Sequence, residues 1–237
     1  SAPLRGDGAT WSTALVHLRD AIDAASDPAN SVSEIRVAQG VYRPDRSTSV
    51  PLGSRDRNST FRLRSGVAIR GGYRGLAALP RANPDLRDID AYPTILSGDL
   101  NGDDGPVGEF LNASENAYQV VVAVSVDAGA ILEGFTVRGG RADGPGLGPT
   151  PDSRDQGSAV NIYFGGPQII RCTFEQNWAF NHGTINDHGN NSQIAQCVFR
   201  HNHSEQFGAG LYVHDHSATL ATQCVFDRNT ALTDGAG

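Results

Sequence analysis

The chain has 237 residues, 38% hydrophobic, 19% charged and 7% aromatic, which suits one globular unit. A net charge of −7 argues against a nucleic-acid binder, which needs a basic face, and no apolar run approaches the ~20 residues of a membrane helix. All 19 Lys/Arg positions are Arg, Met is absent, and three Cys make an odd count that argues against a closed disulfide framework.

The first element in the chain reads as a helix. Trp11, Ala14, Leu15, Leu18, Ala21, Ile22 and Ala25 follow helical spacing, with Thr10 or Ser12 as N-cap and Asp27-Pro28 as a stop. A helix over 10–26 is expected to cap the open end of a solenoid, with Trp11 used in packing. Strand-like stretches follow at 34–38, 61–63, 67–69, 93–97 and 117–124, separated by polar loops at 44–60, 74–92 and 99–116. These irregular coils occupy 32–142. Residues 143–156, rich in Gly, Pro and Asp, read as a surface loop thrown out from a coil turn.

From 157 to 237 the chain repeats itself. Segments 170–179, 195–204 and 222–231 share the pattern Cys-x-Phe-x-x-Asn-x-small, at spacings of 25 and 27 residues. Val160, Ile185 and Leu211 mark a second short strand in each unit. Strands repeating every ~25 residues and stacking ~4.8 Å apart describe an all-β parallel β-helix. Cys172, Cys197 and Cys224 then form one inward column, and Phe174, Phe199 and Phe226 another. Asn177, Asn202 and Asn229 fall where the chain turns; Asn tolerates the left-handed conformation, and its amide can bond the coil above and below. Glu175, Arg200 and Asp227 form an exposed column of alternating charge. Segment 132–142 matches the same pattern, with Phe135, Val137 and Gly140 in the places of Cys, Phe and Asn. One fault appears: Asp187 stands where the neighbouring coils carry Ile162 and Val213. An early strand end at Asn186, supported by Gly189, is expected to keep the carboxylate out of the core.

Several motifs carry a family likeness. They are Gly-Ala-Thr-Trp at 8–11, Ile-Arg-Val-Ala-Gln-Gly-Val-Tyr-Arg-Pro at 35–44, Gly-Gly-Tyr-Arg-Gly at 71–75, Thr-Ile-Leu-Ser-Gly-Asp at 94–99, Asn-Ala-Tyr-Gln-Val-Val at 116–121 and Leu-Glu-Gly-Phe-Thr-Val-Arg-Gly-Gly at 132–140. As a set they resemble secreted or surface proteins with right-handed parallel β-helix repeats, of the pectate-lyase-like superfamily. The resemblance implies a large bacterial extracellular protein and no particular reaction. It departs from the family in lacking an opening strand and in stopping at the start of a new coil. The 237 residues are therefore expected to be a single domain within a longer chain or assembly, with head-to-tail self-association through the open C-terminal coil as one outcome.

Two candidate sites stand out. Asp99, Asn101 and Asp103 occupy positions 1, 3 and 5 of a calcium-loop spacing, with Asp104 beside them. Position 12 is Phe110 where a Glu is wanted, so the segment reads either as a calcium site or as an acidic surface turn. His188 and His214, in line with Tyr163 and close to Asp215, read either as an outward polar ladder or as an acid–base or transition-metal site. Asp152, Arg154 and Asp155 in the insertion have no second motif to support them. The expectation is a non-catalytic structural, adhesive or glycan-binding module, with calcium as the one candidate cofactor. The alternative is a polysaccharide lyase or glycoside hydrolase using His188, His214 and Asp215.

Overall fold

The computed structural model describes residues 6–76, 83–148, 150–188, 191–214 and 218–236. It is 33% strand and 6% helix, and every strand pair is parallel. Successive circuits of the chain lay each new strand beside the one from the circuit before, so sequence order and sheet order coincide. One six-stranded sheet runs from Glu34–Ala38 through Ala68–Tyr73, Ile131–Glu133, Gln168–Ile170 and Gln193–Ala195 to Leu220–Thr222. A second takes Gly40–Tyr42, Thr94–Ser97, Thr136–Arg138, Thr173–Glu175, Val198–Arg200 and Val225–Asp227. Five strands from Phe61–Arg62 to Leu211–His214 form a third sheet, and four two-residue strands from Arg141–Ala142 to Thr230–Ala231 a fourth. Parallel sheets stacked coil on coil in this way fit a parallel β-solenoid.

The repeat columns lie where the spacing puts them. Phe174, Phe199 and Phe226 are in register, with ring centroids 4.9 and 4.7 Å apart. The column continues upward through Val137, Leu96 and Tyr42, beyond the reach of the repeat. Phe174 and Phe199 are fully buried, as are Cys172 and Cys197 beside them. Each buried ring contributes about 1.5–3 kcal/mol by leaving water, and offset stacking adds about 0.5–1.5 kcal/mol.

The Asn ladder forms as well. Asn177 N and Nδ2 both donate to Asn202 Oδ1 at 3.1 Å, and Asn202 N and Nδ2 donate to Asn229 Oδ1 at 3.1 and 2.9 Å. Gly140 N donates to Asn177 Oδ1, which confirms the alignment of that upstream segment. The left-handed residue at each turn, however, is the one before Asn: Gln176, His201 and Arg228, with φ between 52 and 54°. A non-glycine residue there costs about 1–2 kcal/mol, and the amide bonds made by the following Asn offset it.

Two expectations change. The helix spans Leu18–Ala25 only, and Trp11–Thr13 forms a separate 3-10 turn. The side chains of Thr10 and Thr13 cap each other and Gly8 N closes on Thr13 O, which satisfies that turn locally and detaches it from the helix. Leu18 and Ile22 still pack into the core at this end, and Trp11 is a packing residue, its Nε1 donating to Asp85 and its ring 5.8 Å from Tyr73. Next, the strand carrying Asp187 does not stop early. It runs Ile185–His188, with Asp187 in register between Ile162 and Val213 and fully buried. Pairing on both sides holds the backbone, and the carboxylate accepts a 2.5 Å bond from Thr219 Oγ1. Gly189, which supported the early end, lies outside the described residues. The 143–156 insertion is a surface loop, mostly exposed or half-buried among its described residues, with its far end tied down. Gln119 Nε2 donates to Ser153 O and Gln156 O, and Val122, Asn161 and Asn186 on the outer face of the third sheet are buried. The last described coil contrasts with this coverage, leaving Leu220, Val225, Phe226 and Leu232 exposed.

Candidate metal centre

The 99–116 loop leaves the second sheet and returns to one point. Gly98 N donates to Arg138 O, and Gly98 O accepts from Ala117 N. A Cβ on Gly98 would stand 2.4 Å from Gly139 O, so only glycine permits this closure. Just beyond it Asp99 folds the chain back on itself, its Oδ1 accepting from Gly102 N at 2.5 Å and Asp103 N at 3.2 Å. The far side of the loop is pinned to a coil turn by Gln176 Nε2, which donates to Gly105 O and Glu109 O.

This folding brings three carboxylates together. One oxygen each from Asp99, Asp103 and Glu115 lies within 4.8 Å of the others. Two ligands about 2.4 Å from a shared Ca²⁺ on opposite sides would be separated by about that distance. Asp99 is buried, Glu115 half-buried and Asp103 exposed. Glu115 Oε1 is buried with no hydrogen-bond partner. Burial, together with the charges of Asp103 and Asp99, raises the Glu115 pKa above the usual carboxylate range. Asp104 is pushed up to about 7, first by burial and then by Asp99, Glu115 and Asp103, against the two hydrogen bonds from Asn116 Nδ2. Arg43 brings one positive charge, its Nε donating to Asp99 O at 2.5 Å. Hard oxygen donors crowded by mutual repulsion suit a hard divalent cation.

The expected ligands Asp99, Asn101, Asp103 and Asp104 are placed differently from one another. Asp99 and Asp103 converge. Asn101 is exposed and lies outside the cluster, and Asp104 turns away to Asn116. Glu115 replaces them from a position outside any twelve-residue template. Its signal was available only as an acid at the closing end of the loop.

The histidine candidates fare differently. His188 is buried, stacked parallel to Tyr163 at 4.8 Å, with Phe164 edge-on at 5.9 Å. The backbone register sets His214 beside it on the next coil. The His214 side chain and Asp215 lie outside the described residues. Comparison of the chain with family models, curated proteins and solved structures gives no match. The geometry alone therefore carries the functional reading.

Proposed function

We propose that this chain is a bacterial extracellular module of structural, adhesive or glycan-binding role. On this reading it is a right-handed parallel β-helix of the pectate-lyase-like kind, whose 99–116 loop is clamped by Ca²⁺. The observation that carries the reading is the convergence of Asp99, Asp103 and Glu115, with Glu115 Oε1 buried and unpartnered. A partly exposed site of this charge suits the submillimolar to millimolar affinity of extracellular calcium modules. The ion would neutralise the carboxylates and tie the loop's first turn to its last residues, which stiffens a long excursion from the coil. Polysaccharide cleavage at His188, His214 and Asp215 has no observation of its own in its favour.

The test is thermal unfolding of chelator-treated protein before and after adding millimolar Ca²⁺. Millimolar Ca²⁺ then stands at one to ten times Kd and stabilises by about 0.4–1.4 kcal/mol, a rise of about 1–5 °C in Tm. Glu115→Gln and Asp103→Asn should abolish the rise, whereas Asn101→Ala should keep it. An unchanged Tm in the unsubstituted protein overturns the clamp.

A further inference from the structure

The asparagines inside the coils are spent on structure. Asn177 and Asn202 form the ladder, Asn186 Nδ2 donates to Asn161 Oδ1, and Asn116 Nδ2 donates to Asp104, all five residues being buried. Two at the surface are engaged as well: Asn58 Oδ1 accepts from Arg154 Nε, and Asn112 Nδ2 donates to Asp103 O. Asn101 differs from all of these. It is exposed, and among the described residues its side chain makes no hydrogen bond. It is also followed by glycine, the one Asn-Gly pair in the 237 residues.

The fold requires that glycine. Gly102 has a φ of 84°, in the left-handed region, and a Cβ placed on it would stand 2.7 Å from Arg43 Nη2. Arg43 is itself tethered, its Nε donating to Asp99 O at 2.5 Å, so it cannot swing away freely. The backbone nitrogen after Asn101 therefore has no side chain of its own residue to shield it. That nitrogen donates to Asp99 Oδ1 at 2.5 Å, and donation to a carboxylate polarises the donor, moving electron density onto it. A free carboxamide and an unshielded amide nitrogen one residue on are the two partners of an intramolecular ring closure, and adjacency gives them a high effective concentration.

We infer that Asn101 is a site of spontaneous deamidation, a modification that adds a carboxylate to the 99–116 loop as the protein ages. Gly102 N gives up its proton and attacks Asn101 Cγ. The new C–N bond closes a succinimide ring; the Cγ–Nδ2 bond breaks, and the departing –NH2 takes up a proton and leaves as ammonia. One water molecule then opens the ring at either carbonyl and leaves aspartate or isoaspartate at 101. Water is the sole co-reactant, and nothing is oxidised or reduced. The product carries acids at 99, 101 and 103 in place of Asp-Leu-Asn-Gly-Asp, so negative charge accumulates beside Asp99 and Asp103. The inference goes beyond the calcium clamp and does not depend on it.

The experiment is prolonged warming of the folded 237-residue chain at mildly alkaline pH, in chelator so that calcium plays no part. Intact mass and peptide mapping give the readout. Replacing –NH2 by –OH should raise the mass by about one dalton, and the peptide carrying Asn101 should hold the gain. Asn101→Gln, whose longer side chain closes its ring far more slowly, and Asn101→Asp, which is already the product, should both lack the gain, with folding checked by thermal unfolding. Asn112→Gln, a change at an engaged asparagine of the same loop, should gain mass as the unsubstituted chain does. No gain in the folded protein, an equal gain in Asn101→Gln, or a gain that maps first to another asparagine would each overturn the inference.

Discussion

The two halves of this molecule are held together by different chemistry. Below residue 157 the coils are irregular, and long loops are tied down by charges that occur once. Glu133 is 4% exposed and accepts from Arg70 and Arg87 on the circuit before its own and from Arg171 on the circuit after it. Arg57 bridges to Asp143, and the 99–116 loop closes on its own carboxylates. Above 157 the coils repeat, and the same contact recurs from one to the next: ring on ring, amide on amide, thiol above thiol. A ladder needs each coil to resemble its neighbour, whereas a clamp needs only one well-placed partner. The regular half therefore departs from pattern at few buried positions, Asp187 being one, and the irregular half tolerates long insertions at the cost of buried charge.

The sharpest break in this comparison lies within one ladder. Phe199 is stacked on both faces and fully buried, while Phe226, the next rung, is 40% exposed. Phe199→Ala should cost about 3–5 kcal/mol through lost transfer energy plus a cavity. Phe226→Ala should cost less than half of that, since part of its surface never leaves water. Denaturant unfolding of both variants checks the difference, and equal losses would mean that the last coil is covered in solution.

A single-use clamp should fail differently. Glu133→Gln leaves three guanidinium groups around a neutral amide and should cost about 2–3 kcal/mol, the range for hydrogen bonds to charged groups. Burial works to raise the Glu133 pKa, but hydrogen bonds from Arg171 and Arg87 and the charge of Arg70 outweigh it and hold the carboxyl low. Because the group is buried, the loss should persist at high salt. The exposed pair Arg36–Asp85, at 51% and 52% side-chain exposure, gives the contrast. Arg36→Gln should cost less than about 1 kcal/mol and vanish in salt.

This division also explains what could be read from the residues alone. Identical side chains at spacings of 25 and 27 announce a column before any coordinate is known, and the alignment of Val137 and Gly140 followed from the same rule. The partners of Glu133 lie 63, 46 and 38 residues away with no shared period, so no spacing rule reaches them. Glu115 escaped for the same reason: loop closure at Gly98, and no fixed count from Asp99, brings it to the site. Arg154 was visible as a charge in an insertion, but its partners Asn58 and Gln119 were not. The left-handed turn was located correctly and assigned to the wrong residue, because Asn has two virtues and the ladder uses only its amide.

Asp187 sits between these cases, since its register was legible and its consequence was not. Exposed acids usually end strands, yet here backbone pairing to Ile162 and Val213 continues and carries the carboxylate inside. Its Oδ2 accepts from Thr219, while Oδ1 is buried with no hydrogen-bond partner. Burial raises its pKa above the usual Asp value, against the hydrogen bond from Thr219 and the influence of His188. A raised folded-state pKa means that the native protein holds the proton more tightly than the unfolded chain does. Stability should then be fullest below the unfolded value near 4 and fall as pH rises through the folded value. Asp187→Asn keeps an acceptor for Thr219 and cannot ionise, so its stability curve should lack that descending limb. At pH 5 the two proteins should differ by less than about 1 kcal/mol, and the gap should move in favour of the variant by pH 8. Unfolding measured in chelator across this range isolates the effect from the acidic loop. Parallel pH profiles would show that the carboxylate reaches water in solution and that the third sheet opens at this coil.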